Sequence, residues 1–242
     1  MVERTPSTNA DVLAAARDGA PEGLVVLAEE QTAGRGRLGR VWVSPPRAGL
    51  TMSVLLRPAP AVAVNRWGWL PLLIGVALHR AVTAVTGVET RLKWPNDLLA
   101  GPRRHKAAGM LVQAEGDAVA AGIGLNVTNG RDELPRADTT SLLLAGAGVG
   151  AGVADRSVLA VAILRQLAAD YVQWQSSGGA VAPLHAAYVG ACDTLGREVT
   201  AYLPGGQALT GVAVGVDSTG GLVLRAGSRN HVISAGDVVH LR

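Results

Sequence analysis

The chain has 242 residues, of which 48% are hydrophobic, and a formal net charge of +3. This composition excludes a largely disordered chain, because it supplies enough apolar side chains for one large domain or a medium and a small one. Cys192 is the single cysteine, so no internal disulfide can form and a reduced compartment is expected. The polar N-terminus carries no secretory signal, and the apolar run at 70–78 is too short to cross a bilayer. We therefore expect a soluble cytoplasmic protein that does not bind membranes.

Helical and extended patterns alternate over roughly the first 190 residues. Pro71 fits only if it lies in the first turn of its helix, and Asp155 is placed to cap the longest one. Helices are predicted at 8–16, 69–85, 154–175 and about 182–189, and strands at 24–28, 50–56, 90–94, 106–115 and 118–127. The last of these strands could lie at a sheet edge and pair with a second copy of the chain. The glycine- and alanine-rich stretch 145–152 is predicted to be a loop.

The residue pattern of the sequence changes after Leu195. Two hairpin-type turns, PGGQ and DSTGG, separate stretches of β-branched alternation, and no helical pattern follows. The sequence therefore predicts two domains, 1–192 and 193–242, of which the second is a small all-β unit.

One loop combines three glycines with three arginines: QTAGRGRLGRVW, residues 31–42. Its G-x-G-x-x-G spacing matches a dinucleotide-binding fingerprint, but the following RVWVSPPRAGL cannot open the helix that such a site needs. A kinase is excluded as well, because the chain contains no phenylalanine and so has no D-F-G motif.

The loop nevertheless has the chemistry of an anion site. Glycines let the backbone approach a ligand, and guanidinium groups bind phosphate or carboxylate through two parallel hydrogen bonds. Because Arg35, Arg37 and Arg40 repel one another, we expect the loop to be mobile when empty and ordered over an anion. A solvated basic turn is the alternative interpretation.

Three further stretches carry polar groups at the ends of apolar segments. LKWPNDLL contains Lys93, Asn96 and Asp97, HKAAGML contains Lys106, and AGIGLNV ends on Asn126. Taken singly, these would be an ordinary polar turn, a solvated edge lysine and a turn asparagine.

Taken together, the motifs resemble biotin protein ligases over nearly the whole chain. The resemblance rests on STN at 7–9, then GRGRLGR, KWPND, HKAAG, GIGLN and the terminal β-unit, in the family's order and spacing. Leu38 departs from the polar or basic residue usual in the family's loop. An N-terminal winged-helix repressor domain, present in many members, is not expected, so sequence-specific DNA binding is not expected either.

The resemblance implies an α/β fold: a mixed sheet with helices packed on one side, like that of class II aminoacyl-tRNA synthetases, and a small SH3-like C-terminal barrel. It implies that biotin and ATP·Mg²⁺ react to biotinyl-5′-adenylate and pyrophosphate. The biotin then passes to a lysine on the biotin carboxyl carrier domain of an acyl-CoA carboxylase. A monomer or weak homodimer would suffice for this.

The resemblance also implies roles for individual residues. Lys106 would bridge the biotin carboxylate and the α-phosphate, with Arg35 and Asp97 as further catalytic groups, and Asp97 would also position Mg²⁺. Biotin would contact Ser7, Thr8, Asn9, Gln31, Gly34, Arg35, Gly36, Lys106, Gly109 and Leu111. ATP or the adenylate would contact Arg37, Arg40, Trp42, Lys93, Asn96 and Asn126.

Two rival functions remain open on the sequence. A lipoate or octanoate ligase or transferase shares this catalytic fold, although Ser7-Thr8 and the arginine loop favour biotin. A non-catalytic module that binds an adenylate or nucleic acid is suggested by the basic charge alone.

Overall fold

The structure is a computed structural model, and it describes residues 1–43, 45–148, 155–203, 206–234 and 236–241. Seven strands form the larger sheet: β1 (Val2–Thr5), β2 (Val25–Gln31), β3 (Gly49–Leu56), β4 (Thr90–Lys93), β5 (Asp97–Ala100), β6 (His105–Glu115) and β7 (Ala118–Asn126). Their spatial order is β1-β2-β3-β7-β6-β5-β4. β1 pairs parallel to β2, and all other neighbours are antiparallel. The predicted mixed sheet is confirmed.

Two strands were not predicted, and the position of a third was predicted wrongly. The polar residues of β1 show no strand pattern. β5 begins inside the predicted polar turn, because only four residues separate Lys93, the last residue of β4, from Leu98. The segment expected at a sheet edge, β7, lies instead between β3 and β6 and is buried along its whole length. It is therefore not available to pair with another chain.

Four helices pack against this sheet: α1 (Thr8–Arg17), α2 (Leu70–Thr86), α3 (Arg156–Ser176) and α4 (Ala182–Ala191). The first residue before α3, Asp155, caps it by accepting a hydrogen bond from Ser157 N at 2.6 Å, as predicted. The stretch 64–86, which includes α2, is long and apolar enough to cross a membrane, but most of it is buried in the domain core. Part of the predicted loop at 145–152 lies outside the described residues.

The helices occupy both faces of the sheet. Met52 and Val54 of β3 face the large core formed with α2 and α3, whereas Leu55 packs with Val12 of α1 on the opposite face. This division follows from the alternation of side chains along a strand. The helices α2, α3 and α4 lie on one face, as predicted, but the prediction that all helices pack on one side is wrong for α1, which packs on the opposite face.

The C-terminal sheet has five antiparallel strands: β8 (Glu198–Tyr202), β9 (Ala208–Val216), β10 (Leu222–Ala226), β11 (Arg229–Ile233) and β12 (Asp237–His240). Their order is β11-β10-β9-β8-β12. Two tryptophans of the first domain donate indole hydrogen bonds to its β9–β10 turn, Trp69 to Ser218 O and Trp94 to Gly220 O, each at 3.0 Å. These buried anchors fix the small sheet against the large one.

Candidate active-site cleft

A cleft of about 320 Å³ opens on the face of the large sheet that carries α1. Its floor is a row of residues paired across neighbouring strands: Thr51 opposite Gly124, Gly124 opposite Gly109, and Gly109 opposite Asp97. Paired residues on adjacent strands point to the same face, so side chains far apart in sequence meet here. The start of α1, the arginine loop and the segment 135–139 form the walls.

Small residues on β7 leave room for those walls. A methyl group on Gly122 would lie 2.3 Å from the Asn9 side-chain oxygen, and one on Gly124 would lie 2.4 Å from the Trp42 ring. Neither contact is sterically possible without a shift. The two glycines are therefore needed because other residues lie directly on the strand.

At one end of the cleft, the start of α1 is held by a buried network of side-chain hydrogen bonds. Gln31 Oε1 accepts hydrogen bonds from Thr8 N at 2.9 Å and Thr8 Oγ1 at 3.1 Å, and Thr8 Oγ1 is 2.7 Å from Ser53 Oγ. Ser53 donates to Asn9 Oδ1 at 2.6 Å, and Asn9 Nδ2 donates to Gln113 Oε1 at 2.7 Å. The polar groups of Thr8 and Asn9 are thus engaged within the protein.

Ser7 differs from its two neighbours. It stands at the N-cap position of α1, yet its side chain makes no capping hydrogen bond. Its hydroxyl remains available at this end of the cleft, beside Gln31. The first residue of the STN motif is therefore the one best placed to contact a ligand directly.

At the centre of the cleft, Lys106 forms an ion pair with Asp97, with 2.7 Å between Nζ and Oδ1. Both side chains are mostly buried, at 26% and 19% exposure. The Lys106 ammonium also lies 5.9 Å from the centroid of the Trp42 ring, within range of a cation–π contact. Asn96 fixes the preceding turn, because its Nδ2 donates to Met110 O at 2.7 Å and its own carbonyl accepts from Met110 N at 2.9 Å.

The arginine loop folds back on itself over the mouth of the cleft. Gly36 N donates to Arg40 O at 2.7 Å, and Leu38 and Gly39 both adopt positive φ angles, 56° and 74°. Leu38 is exposed at the tip, in a conformation that a non-glycine side chain adopts at some cost. Arg35, Arg37 and Arg40 all line the cleft.

Charges around the loop partly offset one another. Burial lowers the pKa of Arg37 from its ordinary value, and the carboxylates of Asp237 and Asp97 oppose that shift. Arg37 and Arg40 also contact the C-terminal sheet, through Gly236 O and the Asp237 carboxylate respectively.

Trp42 covers the floor of the cleft immediately after the loop. Its ring lies over Gly124 and Gly109, and its main-chain N–H donates to Gly34 O at 2.9 Å. Among the described residues, the buried indole Nε1 has no hydrogen-bond partner. Buried indole N–H groups are usually satisfied, so this donor is a candidate contact for a bound ligand.

Most residues predicted from the sequence meet in this cleft. Those that line it are Ser7, Thr8, Asn9, Gln31, Arg35, Gly36, Arg37, Arg40, Trp42, Asn96, Asp97, Lys106, Gly109 and Leu111. Gly34, Lys93 and Asn126 do not line it. Gly34 is buried behind the loop, and Asn126 is buried with its Nδ2 donating to Thr140 O at 3.0 Å. Lys93 lies at the end of β4, beyond Asp97.

Sequence reasoning missed several residues of the cleft. Arg136 adds a further cation, and its hydrogen bond with Asp138 raises the pKa of Arg136 and lowers that of Asp138. The charged stretch RDELPRAD was the signal that could have pointed to it. Those missed are Val41, Thr51, Met110, Gly122, Ile123, Gly124, Pro135, Arg136 and Thr139.

The residues around Asp97 do not fit a resident magnesium site. Among the described residues, no group of three or more His, Cys, Asp or Glu side chains is close enough to hold a metal ion. Within the part of the chain that the structure describes, Asp97 is the one carboxylate lining the cleft, and Lys106 already pairs with it. Mg²⁺ commonly takes one or two carboxylates together with substrate phosphates, so a magnesium ion here remains a prediction tied to bound ATP.

Comparison with known proteins gives a consistent result. The profile of the Biotin/lipoate A/B protein ligase family matches residues 1–128, and that of the biotin protein ligase C-terminal domain matches 194–241. The biotin–[acetyl-CoA-carboxylase] ligase of Mycobacterium tuberculosis is 45% identical over 246 residues, covering 100% of this chain and 88% of that protein. The corresponding ligase of Paracoccus denitrificans is 34% identical and covers 98% of each.

Solved structures agree in fold. The biotin protein ligase from Aquifex aeolicus in complex with biotin and ATP superposes with a TM-score of 0.80 at 26% identity, covering 100% of this chain and 97% of that one. The ligase from Leishmania major in complex with biotinyl-5-AMP has a TM-score of 0.68 at 27% identity, with the same coverage. The resemblance stated from the motifs is confirmed: the chain belongs to the biotin/lipoate A/B protein ligase family.

Proposed function

We propose that the protein is an ATP-dependent biotin protein ligase. It joins the biotin carboxylate to the α-phosphate of ATP, releasing pyrophosphate, and transfers biotin from biotinyl-5′-AMP to the carrier-domain lysine of an acyl-CoA carboxylase. One observation carries the proposal: a single cleft joins a small, neutral end beneath α1 to a mouth lined by arginines, with Lys106 between them. A small acid and a nucleotide can lie end to end in such a cleft.

The neutral end suits the biotin ring. Ser7 and Gln31 offer uncharged polar groups, while Gly122 and Leu111 form a floor without charge. A neutral cyclic urea needs hydrogen-bond donors and acceptors rather than ions. The buried network behind Thr8 and Asn9 would hold this end rigid, so those two residues act by positioning their neighbours.

The cationic end suits the phosphates. A carboxylate attacking an α-phosphate brings two anions together, and fixed cations stabilise the charge that accumulates as they meet. Lys106 would supply such a cation, and Arg37, Arg40 and Arg136 line the same cleft. The buried indole of Trp42 would then contact the nucleotide.

The second step needs a group near the incoming lysine. The acceptor ε-amine attacks the acyl carbon of the mixed anhydride, the bond to the phosphate oxygen breaks, and AMP leaves while the amine loses a proton. Asp97 is the carboxylate at the centre of the cleft. We assign it the role of accepting that proton or orienting the amine.

Location, oligomeric state and domain boundaries belong to the same proposal. We propose a cytoplasmic enzyme that acts as a monomer or weak homodimer, with a catalytic domain at 1–192 and a C-terminal domain at 193–242.

Mass spectrometry of an acceptor domain tests the proposal. The protein is incubated with ATP, a biotin carrier domain and either biotin or lipoate, and the carrier is weighed intact. We expect one biotinyl group on one lysine and no change with a Lys→Arg carrier. Lipoylation instead would reassign the substrate, and an unmodified carrier without pyrophosphate release would refute a ligase.

A further inference from the structure

The tip of the arginine loop is joined to the C-terminal sheet rather than to the sheet that forms the cleft floor. Arg37 Nη2 donates to the carbonyl oxygen of Gly236 at 3.0 Å, and the Arg40 guanidinium pairs with the Asp237 carboxylate. About two hundred residues of sequence separate the partners in each pair. The small domain therefore reaches the active-site loop through two adjacent residues.

Those two residues are held firmly by their own sheet. Asp237 begins β12, directly opposite Tyr202 of β8. Gly236 has a φ of 150°, and a methyl group there would lie 2.6 Å from Tyr202 O. Only glycine fits this position, so the Gly236 carbonyl and the Asp237 side chain are presented to the loop by a backbone with little freedom.

Among the described residues, no hydrogen bond or ion pair from outside the C-terminal sheet reaches the tip of the loop. Its internal hydrogen bonds close residues 36–40 on themselves, and Trp42 attaches its base to the floor. The two arginines near its tip repel each other, and after burial the charge of Arg40 contributes to the lowered pKa of Arg37. Burial lowers the pKa of Arg37, and the charge of the Asp237 carboxylate opposes this shift more than that of Asp97.

We propose that Asp237 is a positioning residue for ATP binding: it holds the arginine loop over the cleft before any ligand binds. This rests on the proposed function. Repulsion among the arginines predicts a mobile empty loop, but the Asp237 carboxylate of the other domain offsets part of that repulsion. Because Asp237 already orders the loop, ATP binding pays a smaller entropic cost for ordering it.

Limited trypsin digestion of the full chain, without biotin or ATP, measures loop opening directly. Trypsin cuts after Arg35, Arg37 and Arg40 only when the loop opens, so the initial cleavage rate follows the open population. A partly exposed ion pair supports an increase of about two- to fivefold in that rate for Asp237→Asn. Asp237→Glu should restore protection, since it keeps the charge.

Two controls separate loop opening from damage to the small domain. Glu198→Gln removes the same charge from an exposed position on the same sheet and should leave the loop rate unchanged. Cleavage at Arg225 and Arg229, scored in the same digest, reports opening of the C-terminal sheet itself. Raising the salt concentration should speed loop cleavage in the parent relative to those sites but not in Asp237→Asn, because the ion pair is screened.

A double variant covers the case in which Asp237→Asn loosens β12. If the ion pair is the cause, adding Asp237→Asn to Arg40→Gln should not further increase cleavage after Arg35 or Arg37. Full additivity, or a single variant that cuts at the parent rate, would overturn the proposal.

The catalytic consequence is measured separately. Asp237→Asn should raise the ATP concentration needed for half-maximal adenylate formation by the same two- to fivefold, at nearly unchanged maximal rate. If the protein makes no adenylate but the digest behaves as described, the proposed function fails and the role of Asp237 in holding the loop stands. If Asp237→Asn is digested at the parent rate and adenylate forms normally, the role of Asp237 in holding the loop fails and the proposed function stands.

Discussion

Replacing Lys106 with methionine tests the mechanism at its centre, because methionine keeps most of the length of the side chain and removes its charge. Three contacts fix the ammonium: the Asp97 ion pair at 2.7 Å, the Trp42 ring at 5.9 Å and the surface of Gly109. A cation held in this way needs no rearrangement when negative charge develops beside it. The variant should therefore affect the rate of adenylate formation more than biotin binding.

The size of the effect follows from the site. Removing one preorganised charged donor costs on the order of 3–4 kcal/mol, or about 100- to 1000-fold in rate. Because Lys106 is still 26% exposed, screening by solvent places the expected loss near the lower end, at about 100-fold. The variant should also lose stability, by about 1–3 kcal/mol, because it leaves the mostly buried Asp97 carboxylate without its partner.

Pyrophosphate release at saturating biotin and ATP gives the rate, and urea unfolding gives the stability. Arg103→Met is the matched control, since it removes a cation from the exposed part of the same β5–β6 hairpin. A Lys106→Met protein within about threefold of the parent, well under 1 kcal/mol, would show that Lys106 is an ordinary structural lysine and that the reasoning is wrong.

Two further predictions follow from buried contacts. Gly124→Ala should displace the Trp42 ring, which a methyl group would approach to 2.4 Å, lowering stability by about 1–3 kcal/mol and weakening ATP binding in calorimetry. Gly190→Ala, with nothing within 4 Å, is its control, and equal effects would contradict the packing argument. His240 has a pKa lowered from 6.5 to about 4, by burial first and then by Lys93. As the pH falls from 6.5 towards 4 the unfolded chain gains a proton that the folded chain does not, so stability is lost in this window. His240→Gln should flatten that loss in urea unfolding at pH 7, 6 and 5, and parallel curves for parent and variant would argue against it.

The family and most of the secondary structure could be predicted from the sequence alone. The helices α1 to α4 and the strands β2, β3, β4, β6 and β7 were predicted from periodicity and turn residues, because those signals are local. The motifs also identified most of the cleft, since each carries chemically distinctive residues in a short stretch. Residues without such a signal, such as Thr51 and Thr139, were missed.

Tertiary structure decided what those local signals mean. Strand order placed β7 at the centre of the sheet, and cross-strand register aligned Thr51, Gly124, Gly109 and Asp97 in one row. Asn126, expected to contact ATP or the adenylate, is buried and donates a hydrogen bond to Thr140 O. Pairing between strands far apart in sequence leaves no local pattern, because side-chain alternation specifies faces but not neighbours.

The contact between the arginine loop and Asp237 is the clearest case. The sequence showed three arginines that repel one another, and their counter-charge lies in the other domain. Coulomb energy depends on distance in space rather than along the chain. Only the docking of the C-terminal sheet, through Trp69 and Trp94, brings that carboxylate to the loop.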